Sequence, residues 1–191
     1  MKRNIGILSC QGDFEKHDTV CRRLGYDTTR VRTPEALSLV DALIIPGGES
    51  TTIGMLTERF GLLHPIREFI ASGRAVMGTC AGTILLADTI DHSGQVHFGG
   101  MDIVVQRNAY GRQVDSFSAE IVIPALKDGP FEGVFIRAPK IISHGPDVEV
   151  MGSYEGSPVM VRQDNLLTMT FHPELTRDDR IHALFLRDFV R

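Results

Sequence analysis

A cysteine between two glycines is the residue of this sequence whose setting best suits chemistry. Cys80 lies in residues 78–82, Gly-Thr-Cys-Ala-Gly, after an apolar run at 75–77 that predicts a buried strand and before a run at 81–87 that predicts a helix. The sharp turn between them strains the backbone and requires small neighbours. The positive end of the helix dipole stabilises a thiolate there. This arrangement suits acyl transfer through a thioester, and a buried structural thiol is the alternative.

A histidine and a carboxylate near the C-terminus can complete such a site. His172 and Glu174 stand two residues apart, so in an extended segment both side chains point to the same face. Pro173 between them restricts the backbone. A nucleophile that precedes its base along the chain is typical of α/β enzymes with a nucleophile elbow. We therefore predict His172 as the base and Glu174 as the carboxylate that orients it.

A glycine pair follows the predicted strand at 42–45, in residues 46–52, Pro-Gly-Gly-Glu-Ser-Thr-Thr. Tandem glycines at the carboxyl end of a parallel strand allow backbone amides to point into the crevice where such sheets bind ligands. We expect the amide of Gly48 to supply one donor of an oxyanion hole and the amide of Ala81 to supply the other. An ordinary turn is the alternative, which the position just ahead of the Cys80 unit disfavours.

Composition excludes several classes of function. A net charge of −4 with scattered Lys and Arg gives no basic stripe, so we expect no nucleic-acid binding. No run approaches the roughly 18 apolar residues of a membrane helix, and no signal peptide is evident, so we expect no membrane association. The three cysteines form neither an even framework nor a paired metal motif, which predicts a reducing, cytoplasmic setting. The histidines show no ligand spacing, and we expect no metal.

The order of predicted elements indicates one α/β domain spanning residues 1–191. In the helix predicted at 14–24, His17 and Cys21 share the spacing of a core-facing stripe. Residues 88–100 and 108–112 are predicted as loops. A strand is predicted at 101–105. Closely spaced strands without helices then predict an antiparallel addition, at 117–123, 133–136, 148–154, 158–162 and 166–170. We predict a three-layer, flavodoxin-like fold: a mostly parallel central sheet flanked by helices, with antiparallel strands added in the C-terminal half and a closing helix at 180–190.

These motifs together resemble class I, triad-type glutamine amidotransferases. More narrowly, and over nearly the whole chain, the sequence resembles the glutaminase subunits of pyridoxal 5'-phosphate synthase. The narrower resemblance depends on Gln-Gly at 11–12, the loop at 46–52, Gln-Arg-Asn at 106–108 with residues 111–117, and Gly-Val-Phe-Ile-Arg-Ala-Pro at 133–139. The sequence departs from the usual family pattern at Cys10, at Thr83 and at residues 141–145.

The resemblance implies a role for each matching position. Cys80 would attack the side-chain amide of L-glutamine, His172 would take and return the proton, and Glu174 would orient the imidazole. The substrate pocket would be formed by Gly48, Glu49, Ser50, Arg107, Ile136 and Arg137. A guanidinium in that pocket suits the α-carboxylate of glutamine. The region of Gln11 would respond to a docked partner, and no cofactor is implied.

The implied partner is a (β/α)8-barrel synthase subunit that receives the ammonia and assembles pyridoxal phosphate from sugar phosphates. Three alternatives stay open. The chain could serve another synthase, such as the imidazole glycerol phosphate enzyme, against which the loops at 106–108 and 133–139 argue. It could be a non-catalytic stress or chaperone-like protein of related fold, which the paired His-x-Glu disfavours. It could also be a catalytically silent regulatory subunit.

Overall fold

The structure is a computed structural model that describes residues 3–107 and 116–190. The loop predicted at 108–112 and most of the 111–117 motif lie outside the described residues. The strands, β1 to β12 in chain order, are Asn4–Leu8, Asp27–Val31, Ala42–Ile45, Ala75–Thr79, Ala87–Ile90, Met101–Gln106, Ser116–Ile121, Phe131–Ile136, Lys140–His144, Glu149–Tyr154, Ser157–Gln163 and Leu166–Met169. The helices, α1 to α6, are Phe14–Arg23, Pro34–Ser38, Ser50–Arg59, Leu63–Ala71, Ala81–Leu86 and Arg180–Asp188.

The central sheet has the strand order β10-β11-β12-β4-β3-β1-β2. Strands β2, β1, β3, β4 and β12 run parallel, in the order typical of flavodoxin-like folds. Strands β3 and β4 are buried at every position, which explains their continuous apolar sequences. Strands β10 and β11 continue the sheet antiparallel at one edge. The predicted fold class is confirmed.

Helices cover both faces of this sheet, and the side chains of each strand alternate between the two layers. In β3, Leu43 and Ile45 pack with residues of α3, α4 and α5, such as Phe69. Ile44 points to the opposite layer, where Phe185 of α6 and residues of α1 pack. Two apolar layers that share one sheet account for the three-layer architecture.

Three elements differ from the sequence-based prediction. The last strand, β12, was expected in the antiparallel addition but pairs parallel with β4, because the tight hairpin after β11 reverses the chain. Residues 88–100 were predicted as a loop, yet β5 begins at Ala87 and pairs with β6. Strand β9 was not predicted and pairs antiparallel with β6. Both β5 and β9 are short and half exposed, so their apolar pattern is weak.

The parallel strands bring four loops to one edge of the sheet. The carboxyl ends of β1, β3, β4 and β12 lead into the segments that begin at Ser9, Pro46, Cys80 and Thr170. Ligands of open α/β sheets bind at this edge, near the point where the strand order reverses. Within residues 3–107 and 116–190, no helix has the length and apolar character needed to cross a membrane.

Candidate active site

Cys80 occupies the sharp turn between β4 and α5. Its backbone has φ 48° and ψ −99°, a strained combination for a residue with a side chain. The amide of Cys80 donates to the carbonyl of Met169 at 2.8 Å, which ties the turn to β12. A Cβ on Gly78 would lie 2.8 Å from the carbonyl carbon of Gly82, so the turn has no room for a larger residue there. The predicted strand, turn and helix are present.

Thr83 fastens the first turn of α5 to the neighbouring strand. Its buried hydroxyl donates to the carbonyl of Met169 at 2.6 Å, and the hydroxyl of Thr168 lies 2.7 Å from it. A leucine or isoleucine at this position has no group for these hydrogen bonds. The departure from the family pattern at Thr83 therefore supplies a polar link between the turn that carries Cys80 and the strand that leads to His172.

His172 and Glu174 form a buried pair beside the cysteine. Nδ1 of His172 lies 2.7 Å from Oε1 of Glu174, and both side chains are almost completely buried. The segment is not extended as predicted, because Pro173–Leu175 forms one turn of 3₁₀ helix. The amide of His172 donates to the carbonyl of Val134 in β8 at 2.8 Å. Because a carboxylate only accepts, Nδ1 carries the proton, and Nε2 is the nitrogen available to Cys80.

The surroundings shift the pKa values of His172 and Glu174 so that both side chains are charged. Burial by itself lowers the pKa of His172, but its hydrogen bonds to Cys80 and Glu174 outweigh burial and raise the pKa to about 10. Burial also raises the pKa of Glu174, but His17 and His172 outweigh it and hold the pKa well below its usual range. An imidazolium beside a carboxylate is therefore favoured at neutral pH.

A cavity of about 230 Å³ opens in front of this pair. Cys80 and His172 line it together with all six predicted substrate-binding residues, Gly48, Glu49, Ser50, Arg107, Ile136 and Arg137. Gln11, Asp13 and Ile84 also line it. Of these three residues, only Gln11 was singled out from the sequence, as part of Gln-Gly after the first strand. Asp13 and Ile84 carry no motif of their own.

The cavity presents charges of both signs. A guanidinium nitrogen of Arg107 lies 3.1 Å from a carboxylate oxygen of Glu49. Burial acts to raise the pKa of Glu49, but hydrogen bonds from Thr51 and the charges of Arg107 and Arg137 keep it lowered. Sγ of Cys80 lies 3.8 Å from the carbonyl oxygen of Ile136. A cavity with these charges can receive both the carboxylate and the ammonium group of an amino acid, close to the thiol.

Comparison with known proteins agrees with this geometry. A sequence model of the SNO glutamine amidotransferase family matches residues 7–191. The chain belongs to this family. It is 53% identical over 182 residues to the pyridoxal 5'-phosphate synthase subunit PdxT of Carboxydothermus hydrogenoformans, with 95% of each chain covered. The identity to the same subunit of Desulforudis audaxviator is 53% over 186 residues, which cover 97% of this chain and 98% of that one.

One solved structure agrees with assignment to the glutamine amidotransferases, and a second shares the fold. A crystal structure of a glutamine amidotransferase matches this SNO family member with a TM-score of 0.91 and 45% identity, covering 95% of this chain and 96% of that one. The structure of PurLQS from Thermotoga maritima matches with a TM-score of 0.75 at 15% identity, which shows a shared fold alone. The resemblance inferred from the motifs is confirmed.

In this SNO family member, the turn after β1 supports the glycine loop after β3. Oε1 of Gln11 accepts from the amide of Glu49 at 2.8 Å, and the amide of Asp13 donates to the carbonyl of Gly47 at 3.0 Å. Gly12 has φ 101° and lies so close to Gly47 that a Cβ would overlap the Gly47 carbonyl. The position of the glycine loop, which contains the predicted oxyanion donor Gly48, thus depends on residues 11–13.

The other predicted oxyanion donor is Ala81, the first residue of α5. The amide of a first helical residue has no acceptor within its own helix, so it is available to a ligand. A possible metal-ligand set lies nearby, since ligand atoms of Asp13, His172 and Glu174 are within 4.8 Å of one another. His172 and Glu174 are already hydrogen-bonded to each other, so an ion would compete with that bond. The absence of a metal stays a prediction.

We expect Gly47→Ala to impair the site more than the fold. A Cβ at this position would overlap Cε1 of His172, so the ring must move. A displacement of about 1 Å at a reacting group costs roughly 100-fold in rate. The measurement is glutamate release from glutamine, with thermal unfolding recorded in parallel. Gly94→Ala is the matched control, because a Cβ there meets nothing within 4 Å. Equal turnover in the two variants would contradict the close packing of Gly47 on His172.

Proposed function

We propose that this chain hydrolyses L-glutamine to L-glutamate and ammonia, and that the ammonia passes to a partner synthase subunit that makes pyridoxal 5'-phosphate. The observation that carries the proposal is the shared cavity of Cys80 and His172, with Glu174 at 2.7 Å from the far nitrogen of the imidazole. The relatives named pyridoxal 5'-phosphate synthase subunit support the choice of product. In the reaction described below, Cys80, His172 and Glu174 have the catalytic roles.

Hydrolysis begins from the ion pair in which Nε2 of His172 holds the proton of Cys80 and the sulfur is a thiolate. The thiolate attacks the side-chain amide carbon of glutamine, a C–S bond forms, and the amide oxygen becomes an oxyanion. The amides of Gly48 and Ala81 stabilise this charge, and one such donor contributes about 3 kcal/mol in comparable sites. His172 then gives its proton to the amide nitrogen, the C–N bond breaks, and ammonia departs. The acyl group remains on Cys80 as a thioester.

Water completes the cycle. His172 takes a proton from a water molecule, whose oxygen attacks the thioester carbon, and a second oxyanion forms in the same place. The C–S bond breaks, which restores the thiolate beside the imidazolium. The carboxylic acid that is released ionises to glutamate. Throughout, Glu174 stays ionised and holds the imidazole with Nε2 toward the sulfur.

The proposal extends to the assembly and its setting. Ammonia in neutral water is mostly protonated and unreactive, so direct transfer to an acceptor subunit preserves its reactivity. We assign residues 1–191 to one glutaminase domain, since both apolar layers share a single central sheet. The partner is a (β/α)8-barrel synthase subunit in the cytoplasm, and no cofactor is needed for hydrolysis. The names of the relatives favour this partner over the imidazole glycerol phosphate enzyme.

The test is glutamate release by the purified chain, alone and with the pyridoxal 5'-phosphate synthase subunit of the same organism. We expect strong stimulation by that subunit, with nitrogen from labelled glutamine appearing in pyridoxal phosphate. Glutamate release at the same rate with and without the subunit would support the glutaminase activity and contradict the proposed partner. No release under either condition, with Cys80 reduced, would contradict the function and favour a silent regulatory subunit.

Arg107→Ala is expected to weaken glutamine use without disabling the thiol. A charge-assisted hydrogen bond contributes about 1.5–3 kcal/mol, so kcat/KM should fall roughly 10- to 100-fold, mainly through KM. Alkylation of Cys80 by iodoacetamide should be unchanged, since this small reagent needs no guanidinium. Arg187→Ala is the control, because Arg187 pairs with Asp188 on the exposed side of α6. An equal loss of turnover and alkylation would indicate a structural role for Arg107.

A further inference from the structure

Two buried histidines lie behind Glu174, and the reaction described above uses neither of them. His17 belongs to α1 and His182 to α6, and both are 0% exposed. Nδ1 of His17 lies 2.9 Å from Nε2 of His182. Nε2 of His17 lies 3.5 Å from Oε2 of Glu174 and 3.3 Å from the hydroxyl of Thr79. The His17 ring therefore reaches the carboxylate oxygen that His172 does not contact, and His182 lies behind His17.

The layer around these rings is otherwise apolar. Cys21, Ile181 and Phe185 are fully buried neighbours along the same two helices. Burying a polar ring in such a layer costs free energy unless the ring is hydrogen-bonded. An apolar pair would fill the space without that cost. The presence of two imidazoles here therefore calls for a role beyond packing, and Glu174 is the charged group that they face.

The proton positions along this chain of groups follow from the carboxylate. Glu174 only accepts, so Nδ1 of His172 and Nε2 of His17 both carry protons toward it. In a neutral ring, Nδ1 of His17 must then accept, and His182 supplies the proton from its Nε2. Each contact fixes the next tautomer. An ordered series thus runs from Cys80 through His172, Glu174 and His17 to His182.

The contact between His17 and Glu174 is mainly electrostatic. At 3.5 Å it is longer than an ordinary hydrogen bond, and Oε2 of Glu174 has no hydrogen-bond partner of ordinary geometry in the described part of the chain. An N–H dipole aimed at a buried carboxylate oxygen stabilises its charge strongly, because little water screens the interaction. His17 is accordingly the first of the groups that lower the pKa of Glu174 against the effect of burial.

We infer that His17 is a positioning residue for the hydrolysis proposed above, one that holds Glu174 ionised and turned toward His172, with His182 holding the tautomer of His17. The inference rests on the proposed function for its kinetic readout. Without His17, the carboxylate is less stabilised and less firmly oriented, so it supports the His172 imidazolium less well. The imidazolium then stabilises the thiolate of Cys80 less well.

The other groups near the two rings do not provide a competing explanation. Thr79 offers a hydroxyl from β4 and carries no charge. Burial, aided by His17, lowers the pKa of His182 to about 3, so this ring is neutral across the useful pH range. The charges of Glu174 and Asp179 act to raise the pKa of His182, and the charge of Arg23 acts to lower it. The titration that His17 influences most directly is that of the His172–Glu174 pair.

The experiment compares His17→Asn with His17→Gln. An asparagine places its polar group near the position of Nδ1, toward His182, and is too short for Glu174. A glutamine reaches the position of Nε2 and keeps a donor for the carboxylate. We expect kcat about tenfold lower in His17→Asn with little change in KM, by analogy with the loss seen when the partner that orients a metal-binding histidine is removed. His17→Gln should recover most of the loss.

A second readout is the pH profile of Cys80 alkylation by iodoacetamide, which needs no glutamine. Its midpoint should move to higher pH in His17→Asn and stay near the wild-type value in His17→Gln. Cys21→Ala is the control for packing, since Cys21 lies one turn along α1 in the same layer. It should lower thermal stability and leave both readouts unchanged.

The outcomes separate this inference from the proposed function. Wild-type protein that alkylates with the expected profile but releases no glutamate with its partner would contradict the function, while the alkylation shift would still support the role of His17. Equal effects of His17→Asn and His17→Gln would overturn the role of His17. So would a loss of kcat that is no larger than the loss of folded protein, with an unchanged pH profile of alkylation. If His17→Asn does not fold, His182→Asn tests the same series, because asparagine is too short to reach Nδ1 of His17, and a smaller shift is expected.

Discussion

Cys80→Ala is expected to abolish glutamine turnover and leave the fold intact. Without the thiol no thioester can form, and loss of a triad nucleophile in comparable enzymes lowers kcat by about a millionfold. The sulfur contacts the carbonyl of Ile136 at 3.8 Å and is hydrogen-bonded to His172, and both groups face the open cavity, where water can replace the lost contacts. The backbone strain at φ 48° is the same for alanine as for cysteine. Glutamate release, thermal unfolding and binding to the synthase subunit measure the three parts of this expectation.

The other two cysteines provide internal controls. Burial raises the pKa of Cys10 to about 11 and that of Cys21 to about 12, so neither forms a thiolate at neutral pH. Cys10→Ala and Cys21→Ala should therefore keep turnover, and mass spectrometry after brief iodoacetamide treatment should find the label on Cys80. Turnover that persists in Cys80→Ala would disprove its assignment as the nucleophile.

His172→Asn is expected to have the next largest effect, above that of Glu174→Gln. Asparagine can keep a hydrogen bond to Glu174 but has no nitrogen at the position of Nε2, so proton transfer to and from Cys80 is lost, at a cost of about a millionfold. Glutamine at 174 can present its amide donor to Nδ1, which favours the wrong tautomer, and a change of this kind costs about ten-thousandfold. Values of kcat/KM for the two variants give the order. The reverse order would contradict these roles.

Stability against pH offers an independent check on Glu174. Its folded-state pKa is held below the ordinary value of 4.5, so its ionised form stabilises the fold above that pH, and the stabilisation is lost as the pH falls. The difference in the free energy of unfolding between the wild type and Glu174→Gln should therefore shrink as the pH is lowered below 4.5. A difference that grows in acid would mean that the carboxyl is buried in its neutral form.

Local patterns predicted much of the fold and of the site. The alternation of apolar strands and amphipathic helices before Leu86 needs no tertiary information, and the structure follows it. The strand that ends at Met169 was placed in the wrong group, because its sequence is apolar whichever way it runs and only the preceding hairpin decides its direction. The helical spacing of apolar residues correctly predicted that His17 is buried. It could not predict the contact of His17 with Glu174, because that contact joins residues that are far apart in the sequence.

The parallel pairing of β12 with β4 has a consequence for the newly made protein. Cys80 is synthesised well before β12, the strand beside it, and before His172, the proposed base. Pairing between such distant segments forms late, because a long loop must close first. A nascent chain that still lacks residues 166–174 therefore has the thiol without its proposed base. Hydrolysis of glutamine can begin only after these residues have been synthesised and have paired with β4, so chains that lack them produce no ammonia.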